Sequence, residues 1–329
     1  MNNKPLVTVL LVTYNHVSTF EKAIESILEQ KTDFNFKIMV LDDASTDGTS
    51  ELVRKYASKY PEKIIPVIRE FNLGGIQNVF QALKSIDTKY YATLEGDDYW
   101  CDETKLQTQA DILENNEDCS FCSHNSYRRY PNDELNPKNN TLFINKKVKS
   151  GKFSFPTKIC RNQYIEPHYS SRMYRTSCLH LEQVKNPIMV SYDIASMFWF
   201  LHFGKMYYID KVMSVYNFSY NGVYSSKDSD TQHYMSANVI NEINKCFDYK
   251  YNSMFLDFFK KKIYVSWNET FRIKYFVKKK RLEKIYNDLL DKYLKKINRK
   301  INSKILFEFT LPLWKGKRIC MEVKREKEM

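Results

Sequence analysis

The chain has 329 residues, of which 43% are hydrophobic and 15% aromatic, with only 8 Gly and 9 Pro. That much apolar material builds a sizeable core, which excludes wholesale disorder, and the scarcity of Gly and Pro excludes collagen-like and low-complexity classes. The net charge of +12 is confined to one end: residues 241–329 hold 24 Lys+Arg against 11 Asp+Glu, whereas residues 1–240 sum to −1. No run of about 18 apolar residues exists to form a membrane-spanning helix. The N-terminal apolar run is too short and wrongly flanked for a secretory signal.

Leu6 to Thr13 is β-branched and apolar, the pattern of a buried strand. Ser18-Thr-Phe-Glu21 matches a capping box, with apolar residues at 20, 23, 24, 27 and 28 in helical spacing behind it. Phe36 to Leu41 reads as a second buried strand ending in Asp42-Asp43, followed by a helix over about 49–59. Lys63 to Arg69 is a third strand, Asn72-Leu-Gly-Gly75 a turn, and Ile76 to Ile86 a helix. Tyr90 to Leu94 is a fourth strand that ends in Glu95-Gly-Asp-Asp98. A helix from about 102 to 115 and a fifth strand from Ser120 complete the regular part. Strands alternating with helices of this length predict βαβ units and a mainly parallel sheet.

Beyond it, 131–151 is polar and reads as an excursion loop. Tyr169 to Arg175 is strand-like. Ile194 to Phe203 is a helix closed by Gly204 as a C-cap, and Met206–Ile209 with Val212–Phe218 reads as a pair of strands. From residue 227 the pattern is helical only, with Leu282, Ile285, Leu289, Tyr293, Ile297, Ile301 and Ile305 recurring at 3 or 4 among Lys and Arg. The cysteines number seven, and the close pair Cys119 and Cys122 lies in an apolar stretch. Buried thiols in a reducing cytosol explain them better than a metal or redox site does.

Two acidic pairs, Asp42-Asp43 and Asp97-Asp98, stand at the carboxyl ends of predicted parallel strands, the edge at which open α/β sheets bind ligands. If the first strand lies between the second and the fourth, both pairs face one crevice. Four carboxylates so placed repel one another unless a cation is present, and hard oxygen ligands favour Mg²⁺ or Mn²⁺ completed by substrate phosphates. The crevice therefore reads as a nucleotide-diphosphate site. A solvated turn is the competing explanation for each pair taken alone.

Leu10-Leu-Val-Thr-Tyr-Asn15, Val40-Leu-Asp-Asp-Ala-Ser-Thr-Asp-Gly-Thr49, Asn72-Leu-Gly74 and Leu94-Glu-Gly-Asp-Asp98 occur in the order and spacing of the family 2 glycosyltransferases, which this sequence resembles over about residues 5–125 and more weakly to about Ser226. The resemblance implies an α/β fold of the GT-A (Rossmann-like, nucleotide-sugar-binding) type, with a nucleotide-binding half over about 1–127 and an acceptor half over about 128–226. A basic, mainly helical region, 227–329, would follow. It implies that Thr13, Tyr14, Asn15 and Asn72 lie beside the nucleotide and that Asp42 or Asp43 takes an N–H of the base. Asp97 would sit near the ribose or join the metal, and Asp98 would be the main metal ligand, with Mn²⁺ or Mg²⁺ as cofactor. Glu95 stands where the family has Asp, at the ribose or the metal. On the acceptor side the resemblance implies Asp193, at the start of a helix, as general base; simple helix capping is the other explanation of that residue. Val215 to Ser226 is similar to a loop that closes over the diphosphate. Ser219 stands where many members have a His, and Ser225 and Ser226 are candidate phosphate donors. His168, Trp100, His124 and His202 read as structural residues, with Trp100 equally suited to stack on a sugar.

The expected activity is inverting transfer from a nucleotide-diphosphate sugar, UDP-linked, to a glycan or lipid-linked acceptor in surface polysaccharide or lipooligosaccharide assembly. The basic tail, with Lys278-Lys-Lys-Arg281 and Lys295 to Lys300, suits an anionic membrane surface on the cytosolic face or an ordinary packed helical domain. A sugar nucleotidyltransferase would need a Gly-rich basic loop where Thr13-Tyr-Asn-His16 stands. The neutral first 240 residues and the acidic crevice disfavour nucleic acid as a partner.

Overall fold

The structure, a computed structural model, describes residues 4–130, 141–144, 147–154, 166–219, 226–227, 232, 239, 241–248 and 250, and the backbone alone of 309–312 and 318–321. The chain divides into two compact units, Met1–Ser226 and Lys227–Met329.

In the first unit the chain order is β1 (Val7–Thr13), α1 (Phe20–Leu28), β2 (Phe36–Asp42), α2 (Thr49–Lys59), β3 (Ile64–Ile68), α3 (Gly75–Leu83), β4 (Tyr90–Glu95), β5 (Tyr99–Trp100), α4 (Lys105–Glu114) and β6 (Cys119–Arg129). The short strands β7 (Thr141–Leu142), β8 (Gly151–Phe153) and β9 (Met173–Arg175) follow, then α5 (Ile188–Ser191), α6 (Asp193–Phe203) and β10 (Lys205–Asn217). One sheet runs in the order β3-β2-β1-β4-β9-β6-β10-β5, with β7 on β6 and β8 on β10. Its long ladders are parallel, and β9 enters antiparallel between β4 and β6. β1 pairs with β2 from Val7↔Phe36 to Thr13↔Asp42 and with β4 from Val7↔Tyr90 to Val12↔Glu95. The first strand thus lies between the second and the fourth, and both acidic pairs end on one edge.

The core follows the apolar periodicity. Phe20, Ala23, Ile24 and Ile27 of α1, Val53 and Tyr56 of α2, and Leu106, Ala110 and Leu113 of α4 pack on Val9, Leu11, Ile38, Val40, Ala92 and Leu94 of the sheet. On the other half, α6 is buried all round from Ile194 to Leu201, as a helix apolar on every face must be. Stacked Tyr91–Tyr174 (4.8 Å) and the Tyr174–Phe200 contact (4.5 Å) tie it to the sheet.

Several local expectations are corrected. The capping-box hydroxyls do not cap α1: the Thr19 hydroxyl donates to Gly96 O (2.9 Å), a tertiary bond that fixes the acidic turn instead. Tyr169–Ser171 is a 3₁₀ turn, because Ser170 N donates to His168 Nδ1 (3.3 Å) and the Ser171 hydroxyl to His168 O (2.6 Å), diverting the backbone from the ladder. The paired strands expected at 206–218 are one strand, β10. Exposed Asp210-Lys211 sit in a register shift against β6 between Ile209 and Val212, a bulge that lets a polar pair face out without ending the strand. Gly204 has extended backbone (φ −172°) and makes no left-handed cap; a Cβ there would meet Ser120 N at 2.8 Å, so close approach of β6 explains it.

The recurrent Leu/Ile pattern of 282–305 and both Lys/Arg clusters lie outside the described residues. In the second unit Phe309–Pro312 (β11) and Arg318–Met321 (β12) form an antiparallel pair. The expectation of helix only fails at these two short strands. Among the described residues no helix is long and apolar enough to cross a membrane.

Candidate active site

The loops after β1 and β2 are laced together. Asn15, with a left-handed φ of 55°, accepts Thr46 N on its side-chain oxygen (2.8 Å), and its own N–H goes to Ser45 Oγ (2.9 Å). His16 N donates to Thr49 Oγ1 (2.9 Å) and Val17 N to Asp47 Oδ2 (2.9 Å). Ala44 holds φ 62°, a conformation Ala rarely adopts and one these bonds must enforce. Asp42 is fully buried and takes the Ser45 and Ser50 hydroxyls on its two oxygens. Asp43, 3% exposed, accepts Leu73 N on Oδ1 (2.8 Å) and so draws the 69–74 loop to the edge. Thr13 is buried, and Tyr14 stands out at 45% exposure. Asn72 is exposed and turns its oxygen to Gly74 N (2.9 Å).

After β4, Glu95-Gly96-Asp97-Asp98 makes a tight turn. Gly96 is required: a Cβ would lie 2.8 Å from both His16 Nδ1 and Thr13 Oγ1. Asn217, the last residue of β10, grips this turn from the far half of the unit. Its N–H donates to Asp98 Oδ1 (3.0 Å) and its side-chain amide to Asp97 O (2.6 Å). The Ser170 hydroxyl donates to Asp98 Oδ2 (2.6 Å). Asp97 is half-exposed, with His16 Nε2 at 4.0 Å.

Glu95, Asp98 and His168 each present a ligand atom, and these atoms lie within 4.8 Å of one another. His168 Nδ1 is 3.4 Å from Asp98 Oδ2, and Nε2 is 3.7 Å from Glu95 Oε2. Burial, then the Asp97 and Glu95 charges, hold the Asp98 carboxyl well above its ordinary range. Loss of hydration in the crevice, then Asp97 and Asp193, raise Glu95 to about 8. Burial, then the Arg172 and Arg128 cations, push His168 down to about 3, so its imidazole is neutral, the form that ligates metals. Its ring stacks on Tyr216 (4.3 Å) and meets Phe143 edge-on (5.2 Å). Two crowded carboxylates that resist ionising together, beside a neutral imidazole, are a donor set that fits Mn²⁺ or Mg²⁺.

His168, which the sequence reading placed among structural residues, stands in this cluster. A lone His carries no local mark of its place. The usable signal was indirect: Ser219 left the expected imidazole missing, so another His had to be sought. Ser219 and Ser226 are exposed, and Ser225 lies outside the described residues. Trp100 is 4% exposed, donates Nε1–H to Ser170 O (2.9 Å) and carries Lys105 over its ring; it fills the core and does not offer a face to a sugar. His124 and the thiols of Cys119 and Cys122 are buried.

Asp193 opens α6, with Tyr192 in the extended N-cap position, and its Oδ1 accepts the N–H of Ile194. Its charge is among those that raise the Glu95 carboxyl. The Asp193 main-chain oxygen is taken by buried Arg172 and by the Ser196 hydroxyl (3.0 Å).

Comparison with known proteins fits this geometry. The chain is 32% identical over 122 residues to the UDP-Glc:alpha-D-GlcNAc-diphosphoundecaprenol beta-1,3-glucosyltransferase WfaP of Escherichia coli, a match over 37% of this chain and 46% of WfaP. The chain spans about a third to just under half of the length of the first curated relatives it matches. Its fold is similar to that of S. aureus TarS 1-349, solved in complex with UDP-GlcNAc: TM-score 0.63, 16% identity, 90% of this chain and 83% of that one. It is also similar to the mannosyltransferase PcManGT from Pyrobaculum calidifontis, solved with GDP-Man and Mn²⁺: TM-score 0.53, 14% identity, 91% and 89% covered. The sheet order and helices are thus those of a GT-A fold. Residues 8–179, just over half of the chain, match Glycosyl transferase family 2, and the chain belongs to that family.

Proposed function

We propose that this protein is an inverting glycosyltransferase that moves a sugar from a nucleotide diphosphate, UDP-linked, to a hydroxyl of a glycan or lipid-linked acceptor in surface polysaccharide assembly. The observation that carries this reading is the meeting of Glu95, Asp98 and His168 at one sheet edge, within electrostatic reach of Asp193. WfaP, named for a diphosphoundecaprenol acceptor, supports the acceptor class.

Thr13, Tyr14 and Asn15 border the nucleotide, with exposed Tyr14 offering a ring face to the base. Asp42 or Asp43 meets the base N–H; Asp42 also takes two serine hydroxyls and Asp43 the N–H of Leu73. Asn15 serves by shaping the loop, and Asn72 by closing the adjoining turn. Asp97 faces the ribose. Asp98, with Glu95 and His168, holds the divalent ion. When bound there, Mn²⁺ or Mg²⁺ supplies positive charge for the departing diphosphate. Ser225 and Ser226 belong to the segment that covers the phosphates. Asp193 takes the proton of the acceptor hydroxyl as its oxygen attacks the anomeric carbon from the face opposite the diphosphate. Residues 1–226 form the catalytic part. The basic charge of 241–329 supports contact with anionic lipid headgroups.

The test is a panel of UDP-, GDP- and TDP-sugars, followed for Mn²⁺-dependent hydrolysis and for transfer to a lipid-diphosphate saccharide. We expect one UDP-sugar to be used and the product to have inverted anomeric configuration. Turnover that is indifferent to chelation, or retained configuration, would contradict the proposal.

A further inference from the structure

Arg172 has the largest fully buried side chain of the described residues. Nε and Nη2 donate to Pro167 O (3.1 and 2.6 Å). Nη1 donates to Asp193 O and reaches Tyr174 Oη and Ser196 Oγ, each at 3.4 Å. All four partners are neutral: two carbonyls and two hydroxyls. The Asp193, Glu166 and Glu95 carboxylates lie within electrostatic reach and compensate part of the cost of burying this cation. Charge compensation alone needs no fork of donors aimed at two separate carbonyls.

The two carbonyls explain it better. Pro167 directly precedes His168, and Asp193 is the first residue of α6. One planar fork thus bridges the segment that carries the imidazole and the segment that carries the carboxylate. Guanidinium donors are fixed in a plane, so the fork sets a distance and an angle between its acceptors, which the single flexible ammonium of Lys cannot. We propose that Arg172 is a positioning residue, a clamp that fixes the separation of His168 and Asp193. This rests on the roles assigned above to those two side chains and adds to them the device that sets their spacing. Its effect is geometric: a misplacement of about 1 Å at a reacting centre costs on the order of 100-fold in rate.

The experiment compares full-length parent, Arg172→Met, Arg172→Lys and Asp193→Asn. It measures kcat and donor KM for transfer, UDP affinity with Mn²⁺ by titration, and melting temperature. Met keeps the length but leaves the Pro167 and Asp193 carbonyls without these donors, so it is expected to lower the melting temperature, whereas Lys keeps the cation and is the folded control. Both Arg172 variants are expected to lose about 100-fold in kcat while UDP affinity stays within about threefold and the Lys variant melts within a few degrees of the parent. Parental kcat in Arg172→Met beside an inactive Asp193→Asn would overturn the clamp and leave the base assignment standing. Parental turnover in Asp193→Asn would instead overturn the base assignment. A loss confined to UDP affinity would overturn the clamp as well, since it would reduce Arg172 to local support of His168. Full activity in Arg172→Lys would do the same, because charge without the fork would then suffice.

Discussion

On the β1–β2 side of the crevice, Thr13, Asn15, Asp42 and Asp43 stand at the ends of neighbouring parallel strands. Their loops are bound to each other by short bonds between segments about 30 residues apart, one βα unit. On the β9–α6 side, His168, Asp193 and Asn217 come from separate elements. They reach the acidic turn through bonds such as Ser170–Asp98 and Asn217–Asp98, 72 and 119 residues apart. The first side is a property of one repeating βα unit and its turn chemistry. The second exists only once β9 has inserted between β4 and β6 and α6 has docked, and it is steadied by a buried cation and an aromatic stack. The difference teaches where each kind of function is robust. Local lacing survives the loss of any one bond, whereas a clamp across elements fails as a unit.

The comparison is broken most severely in the acidic turn, which Thr19 holds from one side and Ser170 and Asn217 from the other. Asp98→Ala is expected to reduce transfer by about 10³-fold and to abolish the Mn²⁺ dependence of UDP binding, as read by steady-state kinetics and titration. Asp193→Asn should reduce kcat by about 10²–10⁴-fold with UDP affinity unchanged, which separates proton transfer from donor binding. His168→Ala should weaken Mn²⁺ affinity by about 10–100-fold in equilibrium titration, with transfer recovering at saturating metal. Unaltered Mn²⁺ affinity would return His168 to a packing role.

A gentler probe is pH. Glu95 is raised to about 8 in the folded chain, so its protonated form is the one the fold favours. The associated stability is complete below the ordinary carboxylate pKa and is lost as pH rises through about 8. His168 is lowered to about 3, so its contribution is present above its ordinary value of 6.5 and is lost as pH falls toward 3. The melting temperature of metal-free protein should therefore fall between pH 6 and pH 8.5, and Mn²⁺ should raise it more at pH 8.5 than at pH 6. A flat profile with and without Mn²⁺ would contradict the crowding of these carboxyls. The smallest effect is expected on the laced side. Asp42→Ala leaves two buried serine hydroxyls without their acceptor and should cost about 1–3 kcal/mol, a few degrees in melting temperature, with modest loss of UDP affinity.

Much of this fold was legible in advance. The β-branched runs at Val7–Thr13 and Phe36–Asp42, the 3.6-residue spacing of α1 and the acidic strand ends are written within a few residues of where they act. The errors arose where a distant partner outbid a local preference. Thr19 caps the Gly96 carbonyl and not its own helix, Gly204 yields to the backbone of β6, and β10 absorbs a polar pair as a bulge because β6 lies alongside it.

The amino-acid sequence by itself determined the parallel βαβ frame, the burial of its apolar faces and the convergence of Asp42, Asp43, Glu95, Asp97 and Asp98 on one edge. Strand periodicity and turn chemistry are local, and parallel strands end on the same side. The tertiary structure alone decided that His168 stands beside Glu95 and Asp98, that Asn217 grips their turn, and that Arg172 spans from Pro167 to Asp193. Those meetings depend on strand order, on a 3₁₀ turn imposed by side-chain bonds and on the docking of an all-apolar helix, and none of these has a period or a spacing along the chain.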